Sequence, residues 1–269
     1  MVLNDHRTVN LNPPKELLKQ KMIRYYKKFY FLKVYENWFQ YKFRPLDVVG
    51  LNVYWNVKKQ DKASIPGIKD ISHTIELDLT QDEETILANF SKQIRQQARI
   101  AETEGISCNF DNAETDTFVE FFNEFAKKKN TNLVSRRRME EFGNDIRLSF
   151  AFYNGELLAA HSYLTDKEAG IVRHHHAATR RLDDQIDRNL IGRANKYLTV
   201  KNIFYFKKQG YKTFDFGGYA KDTTDESLKG INAYKLLFGG QVVESVNYFS
   251  YNYRLLKRLA KLLGMEGKV

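Results

Sequence analysis

Apolar positions recur along the 269-residue chain with two different periods, and the changes of period outline its elements. A loose lead-in ends at Pro13-Pro14, and the spacing that follows predicts a helical stretch over residues 15–41. Arg44-Pro45-Leu46-Asp47 breaks it, residues 48–55 read as a strand, and residues 58–70 form a polar connection. Residues 73–79 alternate at period two, as a half-buried strand does. Thr80-Gln81-Asp82-Glu83 has the form of a capping box, in which Thr80 accepts from the backbone N–H of residue 83 while Glu83 reaches back. The helix it opens is predicted to run to about residue 104 and to stop at Gly105. Residues 106–110 form a short strand, and residues 115–129 a helix with Phe118, Phe121, Phe122 and Phe125 on one side.

The second half has a cleaner rhythm. Residues 146–152 and 156–164 read as strands joined by Asn154-Gly155, a strong hairpin signal. A third strand (169–179) and an Arg/Asp-rich loop (180–188) lead to a helix over 189–208, closed by Gly210. A short buried strand (211–216) ends in Gly217-Gly218, and a helix near 228–238 and a strand over 241–251 complete the unit. From Ile146 the order is β-β-β-α-β-α-β, which predicts an α+β fold with a mixed sheet flanked by helices. Leu255, Leu259, Leu262 and Leu263 then fall at helical spacing, with cations on the other faces.

Composition narrows the classes. The chain is 42% hydrophobic, enough for a core, and its one cysteine, Cys108, excludes an internal disulfide and a Cys-rich zinc site. No apolar run is long enough for a membrane span, and the polar start does not read as a secretory leader, so a cytoplasmic protein is expected. The formal charge of +10 sits at the two ends. Residues 15–43 hold eight basic residues against Glu16 and Glu36, residues 251–269 hold five against Glu266, and the span between is balanced. A neutral body argues against a nucleic-acid groove. The basic, aromatic and leucine-rich ends suit either an anionic membrane surface or packing on the domain with a solvated basic face.

Four stretches carry a resemblance to a known superfamily: the polar helix Ser91-Lys92-Gln93-Ile94-Arg95 through Gly105, Asn189-Leu190-Ile191-Gly192-Arg193-Ala194, Phe214-Asp215-Phe216-Gly217-Gly218, and Tyr234 through Gly240. In order and spacing, residues 73–250 resemble the GNAT acyltransferases, and more narrowly the FemABX-like peptidoglycan aminoacyl transferases and the acetyltransferase groups near them. The resemblance implies a GNAT-like domain over residues 71–250, an N-terminal helical extension over 1–70 and a basic C-terminal helix over 251–269.

It also implies a site. The family's diphosphate signature, Gln/Arg-x-x-Gly-x-Gly/Ala, falls on Asn189, Gly192 and Ala194, where only the first position departs. A helix N-terminus offers unpaired N–H groups to a phosphate, and Arg180, Arg181, Arg188 and Arg193 crowd this one, so acetyl-CoA or another acyl-CoA is the expected co-substrate. The other reading of Gly192 and Ala194 is small residues where helix meets sheet. Arg173-His174-His175-His176 does not read as a metal site, because alternation in a strand sends His175 to the face opposite His174 and His176. His174 or His176 is either the general base or part of a structural pair. Asp215, at a strand end, holds either the acceptor amine or the next loop. Gly217, Gly218, Tyr219 and Lys235 are the expected acceptor-side groups, with contact to a phosphate as the other reading of Lys235, and Tyr234 is either the acid that protonates the leaving thiolate or a buried aromatic.

The implied reaction is direct acyl transfer from acyl-CoA to an amine, a small molecule or lipid-linked group such as an amino sugar of a bacterial surface polysaccharide. A second reading keeps the fold and makes the donor an aminoacyl-tRNA and the acceptor a lipid-linked peptidoglycan precursor. A third is a non-catalytic module held at the inner membrane face by residues 15–43 and 251–269.

Overall fold

The computed structural model describes residues 23–39, 47, 49–58 and 67–264. Among the described residues ten strands form one mixed sheet: β1 (Arg24–Phe29), β2 (Leu32–Trp38), β3 (Asn52–Lys58), β4 (Ile68–Asp78), β5 (Ser107–Asn109), β6 (Ile146–Tyr153), β7 (Glu156–Asp166), β8 (Ile171–Thr179), β9 (Thr213–Gly218) and β10 (Gln241–Phe249). Their spatial order is β1-β2-β3-β10-β4-β9-β8-β7-β6-β5. The helices are α1 (Glu83–Asn89), α2 (Lys92–Thr103), α3 (Thr115–Lys129), α4 (Arg136–Phe142), α5 (Arg188–Lys208), α6 (Glu226–Leu236) and α7 (Tyr251–Leu262).

The order expected from Ile146 onward is the one observed. Asn154 and Gly155 both take positive φ, the turn that suits the twist of a two-residue hairpin, and β6 pairs with β7 across it. The expected helix over residues 15–41 is corrected where the structure describes it: residues 24–38 are an antiparallel hairpin whose second strand runs parallel to β3. Aromatic and β-branched residues (Tyr25, Tyr26, Phe29, Val34, Tyr35, Trp38) favour a pleated, half-buried surface, and β3 supplies the edge that receives it. Residues 15–22 and 40–41 of that expectation lie outside the described residues.

The single helix expected over 81–104 is two. Asp82, not Thr80, caps α1 by accepting from Thr85 N–H, and Thr80 instead donates to Asp78. Phe90 then turns inward against Phe204 and Phe238, and Ser91 starts α2 by accepting from Ile94 N–H. Arg95 donates to the carbonyls of Leu87, Ala88 and Phe90, so the broken helix end is satisfied.

The sheet buries both faces. On one, α3 and α4 bring Phe118, Phe122, Met139 and Phe142 onto Leu148, Phe150 and Leu164. On the other, α1, α2 and α5 bring Ile86, Ile94, Ile203 and Phe206 onto Ile75, Leu77, Phe214 and Phe216. Among the described residues no helix is long and apolar enough to cross a membrane.

Candidate functional site

The sheet parts in its middle. β8 and β9 run parallel and pair at three positions, Ile171↔Thr213, Val172↔Phe214 and Arg173↔Asp215, after which residues 174–179 of β8 have no partner on the β9 side. Their backbone groups line a slot, and backbone N–H and C=O groups there remain available to an extended ligand.

Asp215 closes the paired end. Phe214 and Phe216 enter the core, so period-two alternation sends the carboxylate to the other face, where it is fully buried. It accepts from Arg173 (2.5 Å), Asn56 Nδ2 (2.7 Å), Gly217 N–H (2.7 Å) and Thr74 Oγ1. Four donors from β3, β4, β8 and β9 surround it, and that geometry makes Asp215 a clamp joining four strands.

The histidines do not alternate as expected. Ser162 pairs with His176 and Tyr163 with His174, so His175 is the extra residue of a β-bulge. The bulge puts His175 and His176 on the same face, ring centroids 4.0 Å apart, among Trp38, Phe142, Phe118 and Phe122. His174 takes the opposite face, stacked on Tyr163 and 4.6 Å from His161, with its Nε2 buried and without a hydrogen-bond partner. Burial holds all of these imidazoles below their ordinary basicity, His161 and His176 at about 4, so each is neutral near pH 7.

Behind His174 a polar chain threads α5. His161 Nε2 lies 2.7 Å from Asn195 Oδ1, and Asn195 Nδ2 donates to the Tyr234 hydroxyl at 2.9 Å. Because the amide nitrogen is the donor to Tyr234, Asn195 Oδ1 accepts from His161 Nε2–H, leaving His161 Nδ1 to accept from Tyr163 (3.1 Å). Tyr234 receives one hydrogen bond and retains its own proton, which burial holds on by raising the phenol to about 12. Beside it on α6, Lys235 donates to Gly218 O at 2.6 Å; burial, then the nearby Arg173, lowers it to about 8. Gly217 has φ +83°, a conformation that L side chains rarely adopt, so glycine suits the turn at the end of β9. Gly218 is exposed, and Tyr219 is half-buried with its N–H donating to His73 O.

The α5 entry departs from a ring of free guanidinium groups. Asp187 caps the helix, accepting from Asn189 N–H (2.9 Å) and Leu190 N–H (3.2 Å). Arg193 is held bidentate by Glu104 (2.7 Å on both arms), Arg180 by Glu124, and Arg188 by Asp184 (2.9 Å), while Arg181 lies over the Phe125 ring. Ala194 is buried in the core, and Gly192 faces open space. The expected cofactor residues are therefore divided: Arg188, Asn189, Gly192, Arg193 and Ala194 belong to α5, whereas the Arg180 and Arg181 side chains are held on α3, and the charges are largely engaged.

On the α3–α4 side of the sheet the slot meets a cleft of about 1050 Å³. Arg173, His175, His176 and Gly218 line its floor, Trp38 and Trp55 one wall, and Arg137 and Arg138 another. Glu36 beside it is buried between Lys27 (2.7 Å) and Arg138 (2.5 Å). Sequence reasoning did not single out His161, Asn195, Arg173, Arg138 or the two tryptophans. Asn195, Thr199 and Asn202 repeat at helical spacing among the core-facing positions of α5, and that polar stripe is the available signal. The cleft walls come from segments distant in sequence and left no local pattern. Cys108, raised to about 12 by burial, is an inert thiol.

No family model matches the sequence, and no curated protein matches it. Solved structures do. FemX superposes with a TM-score of 0.59 at 12% identity, over 88% of this chain and 85% of that one. L-PGS from Bacillus licheniformis gives 0.58 at 11%, over 91% and 85%. A C-terminal domain assigned to lysylphosphatidylglycerol synthetase in Agrobacterium fabrum gives 0.58 at 10%, over 88% and 83%. The chain has the GNAT-type fold in the FemX-like arrangement.

Proposed function

We propose that the chain is a transferase that moves an acyl or aminoacyl group from an activated thioester or ester onto an amine. The observation that carries the reading is the parting of β8 and β9, which leaves an unpaired backbone edge whose His175 and His176 line the 1050 Å³ cleft. The donor's acyl arm lies along residues 174–179, and the acceptor amine enters through the cleft past His175 and His176. The amine attacks the carbonyl and loses its proton to His176, the neutral imidazole on the cleft floor, the Lys235 ammonium stabilises the developing oxyanion, and Tyr234 gives its proton to the departing thiolate or ribose oxygen as that bond breaks. His161 and Asn195 act behind Tyr234 as positioning residues. The likeness of fold to FemX and to a lysylphosphatidylglycerol synthetase domain, whose name denotes an aminoacylated lipid product, supports this class of reaction.

Two donors are compatible with the slot. For acyl-CoA, the open flank of Gly192 and the arginine-rich approach to α5 support a diphosphate seat. The Asp187 cap favours the aminoacyl ester of a tRNA, because a carboxylate already holds the amides a diphosphate would need and repels its charge. A bacterial surface amino sugar or a lipid-linked peptidoglycan precursor is the corresponding acceptor. Thermal melting in acetyl-CoA, and separately in aminoacyl-tRNA, tests the reading. One donor is expected to raise the midpoint; if it is acetyl-CoA, Gly192→Glu abolishes the rise. Unchanged midpoints with both donors at saturation would sink the proposal.

A further inference from the structure

The end of the molecule formed by α7 and the β1–β2 hairpin carries an apolar surface that the fold does not use. Helix α7 is seated by Tyr253, Leu256 and Ala260, which pack with Phe29, Val34, Val53 and Phe249. That cluster joins the helix to the hairpin, so their outer surfaces belong to one end of the protein. At about 100° per residue, Tyr251, Leu262, Leu255 and Leu259 span an arc of about 80° beside the buried face. None of the four is covered among the described residues, and Leu262 is 82% exposed. Arg254, Lys257, Arg258 and Lys261 fill the adjacent arc, and no acidic residue occurs between Tyr251 and Gly264.

The hairpin tip repeats the combination. Its turn is Tyr30-Phe31, with Tyr30 at φ +53° and Phe31 90% exposed, where a two-residue turn favours Gly, Asn or Asp. Immediately below, Lys28 and Lys33 stand directly opposite each other, a like-charge pairing unfavourable to the hairpin itself. Two aromatics at a strained tip and two facing lysines make sense for a surface that meets apolar chains beneath a layer of negative charge.

We propose that the outer face of α7 and the Tyr30-Phe31 tip dock together on an anionic lipid bilayer, with the leucines and aromatics entering the headgroup boundary and the flanking cations meeting lipid phosphates. Charge selects this occupant over a second copy of the chain, because self-association would bring two cationic arcs together with no carboxylate on that face between them. The assignment does not depend on the transferase reading.

Co-sedimentation of the full chain with vesicles tests it. Binding is expected to equimolar phosphatidylglycerol and phosphatidylcholine and not to phosphatidylcholine alone, and high salt should weaken it. A Leu255→Ser/Leu259→Ser/Leu262→Ser variant, all at exposed positions and checked for an unchanged circular dichroism spectrum, should lose roughly 30-fold or more in partitioning. Phe31→Ser should lose binding in the same direction. Failure to bind the anionic vesicles, or equal binding by the triple variant, overturns the proposal. So does a concentration-dependent dimer, abolished by the triple variant, with no vesicle binding.

Discussion

Replacing Asp215 by alanine puts the fold's central clamp under direct test. The carboxylate is fully buried, and the substitution strands the Arg173 guanidinium, itself largely buried, together with Asn56, Thr74 and the Gly217 amide. Removing one member of a buried ion pair costs about 3–5 kcal/mol, because the uncompensated charge stays behind. For a chain of this size that is a fall in Tm of roughly 6–20 °C. Asp215→Asn keeps the volume but turns two new donors toward existing donors, and should lose about 2–3 kcal/mol. Thermal unfolding followed by circular dichroism near neutral pH measures both. A double variant, Arg173→Met/Asp215→Leu, removes both charges and should recover part of the loss, since the pair's members couple. A single variant that melts within about 2 °C of the parent, or a double variant no better than the single, would refute the clamp. A large loss of activity without loss of stability would instead return Asp215 to the role of holding the acceptor amine.

Other outcomes follow from the same geometry. His161 is lowered to about 4 by burial, so the unfolded chain binds its proton more tightly; stability is full above about pH 6.5 and declines as pH falls toward 4, by roughly 2 kcal/mol at about pH 5. The other buried histidines act in the same direction, and a urea midpoint that stays flat between pH 7.5 and pH 5 would contradict this. Gly239→Ala should lose about 2 kcal/mol or more, because φ is +77° and the new Cβ would stand 2.6 Å from Asn89 O, whereas Gly192→Ala, in an open helical position, should gain about 0.5–1 kcal/mol; equal effects in a melt would count against both readings. Tyr234→Phe should lower turnover by roughly 100-fold or more while lowering stability by only about 1 kcal/mol, and normal turnover would remove it as the proton donor. Turnover should also decline above about pH 8 as Lys235 loses its proton, and Lys235→Met should remove that limb from the pH–rate profile.

Legibility in the sequence followed how local each cause was. The β6–β7 turn, α3, α5 and the glycine-ended β9 rest on short-range chemistry, namely positive φ at Asn154-Gly155, a row of phenylalanines and a helix stop at Gly210, and these agree with the structure. The hairpin at 24–38 is not legible locally because its aromatic residues satisfy a helical spacing as well as a pleat, and only pairing with β3 decides between them. The break at Phe90-Ser91 has the same origin, since Phe90 turns inward only because Phe204 and Phe238 await it. Within the site, the type of residue at the slot was readable but its environment was not. A single bulge residue moved His175 to the face of His176, Glu104, Glu124 and Asp184 engaged cations that a count of arginines takes to be free, and Asp187 took the first amides of α5. Charge pattern gives the presence of a group, whereas its partners come from the tertiary fold.

Amide hydrogen exchange across residues 174–179, with and without saturating acetyl-CoA and, in parallel, aminoacyl-tRNA, reads the slot itself. One of the two donors should slow exchange along this unpaired edge and at Gly217-Gly218, leaving the outer strands β1 and β5 unchanged. Exchange at 174–179 that neither donor alters, in a protein that remains folded, would contradict transfer between β8 and β9.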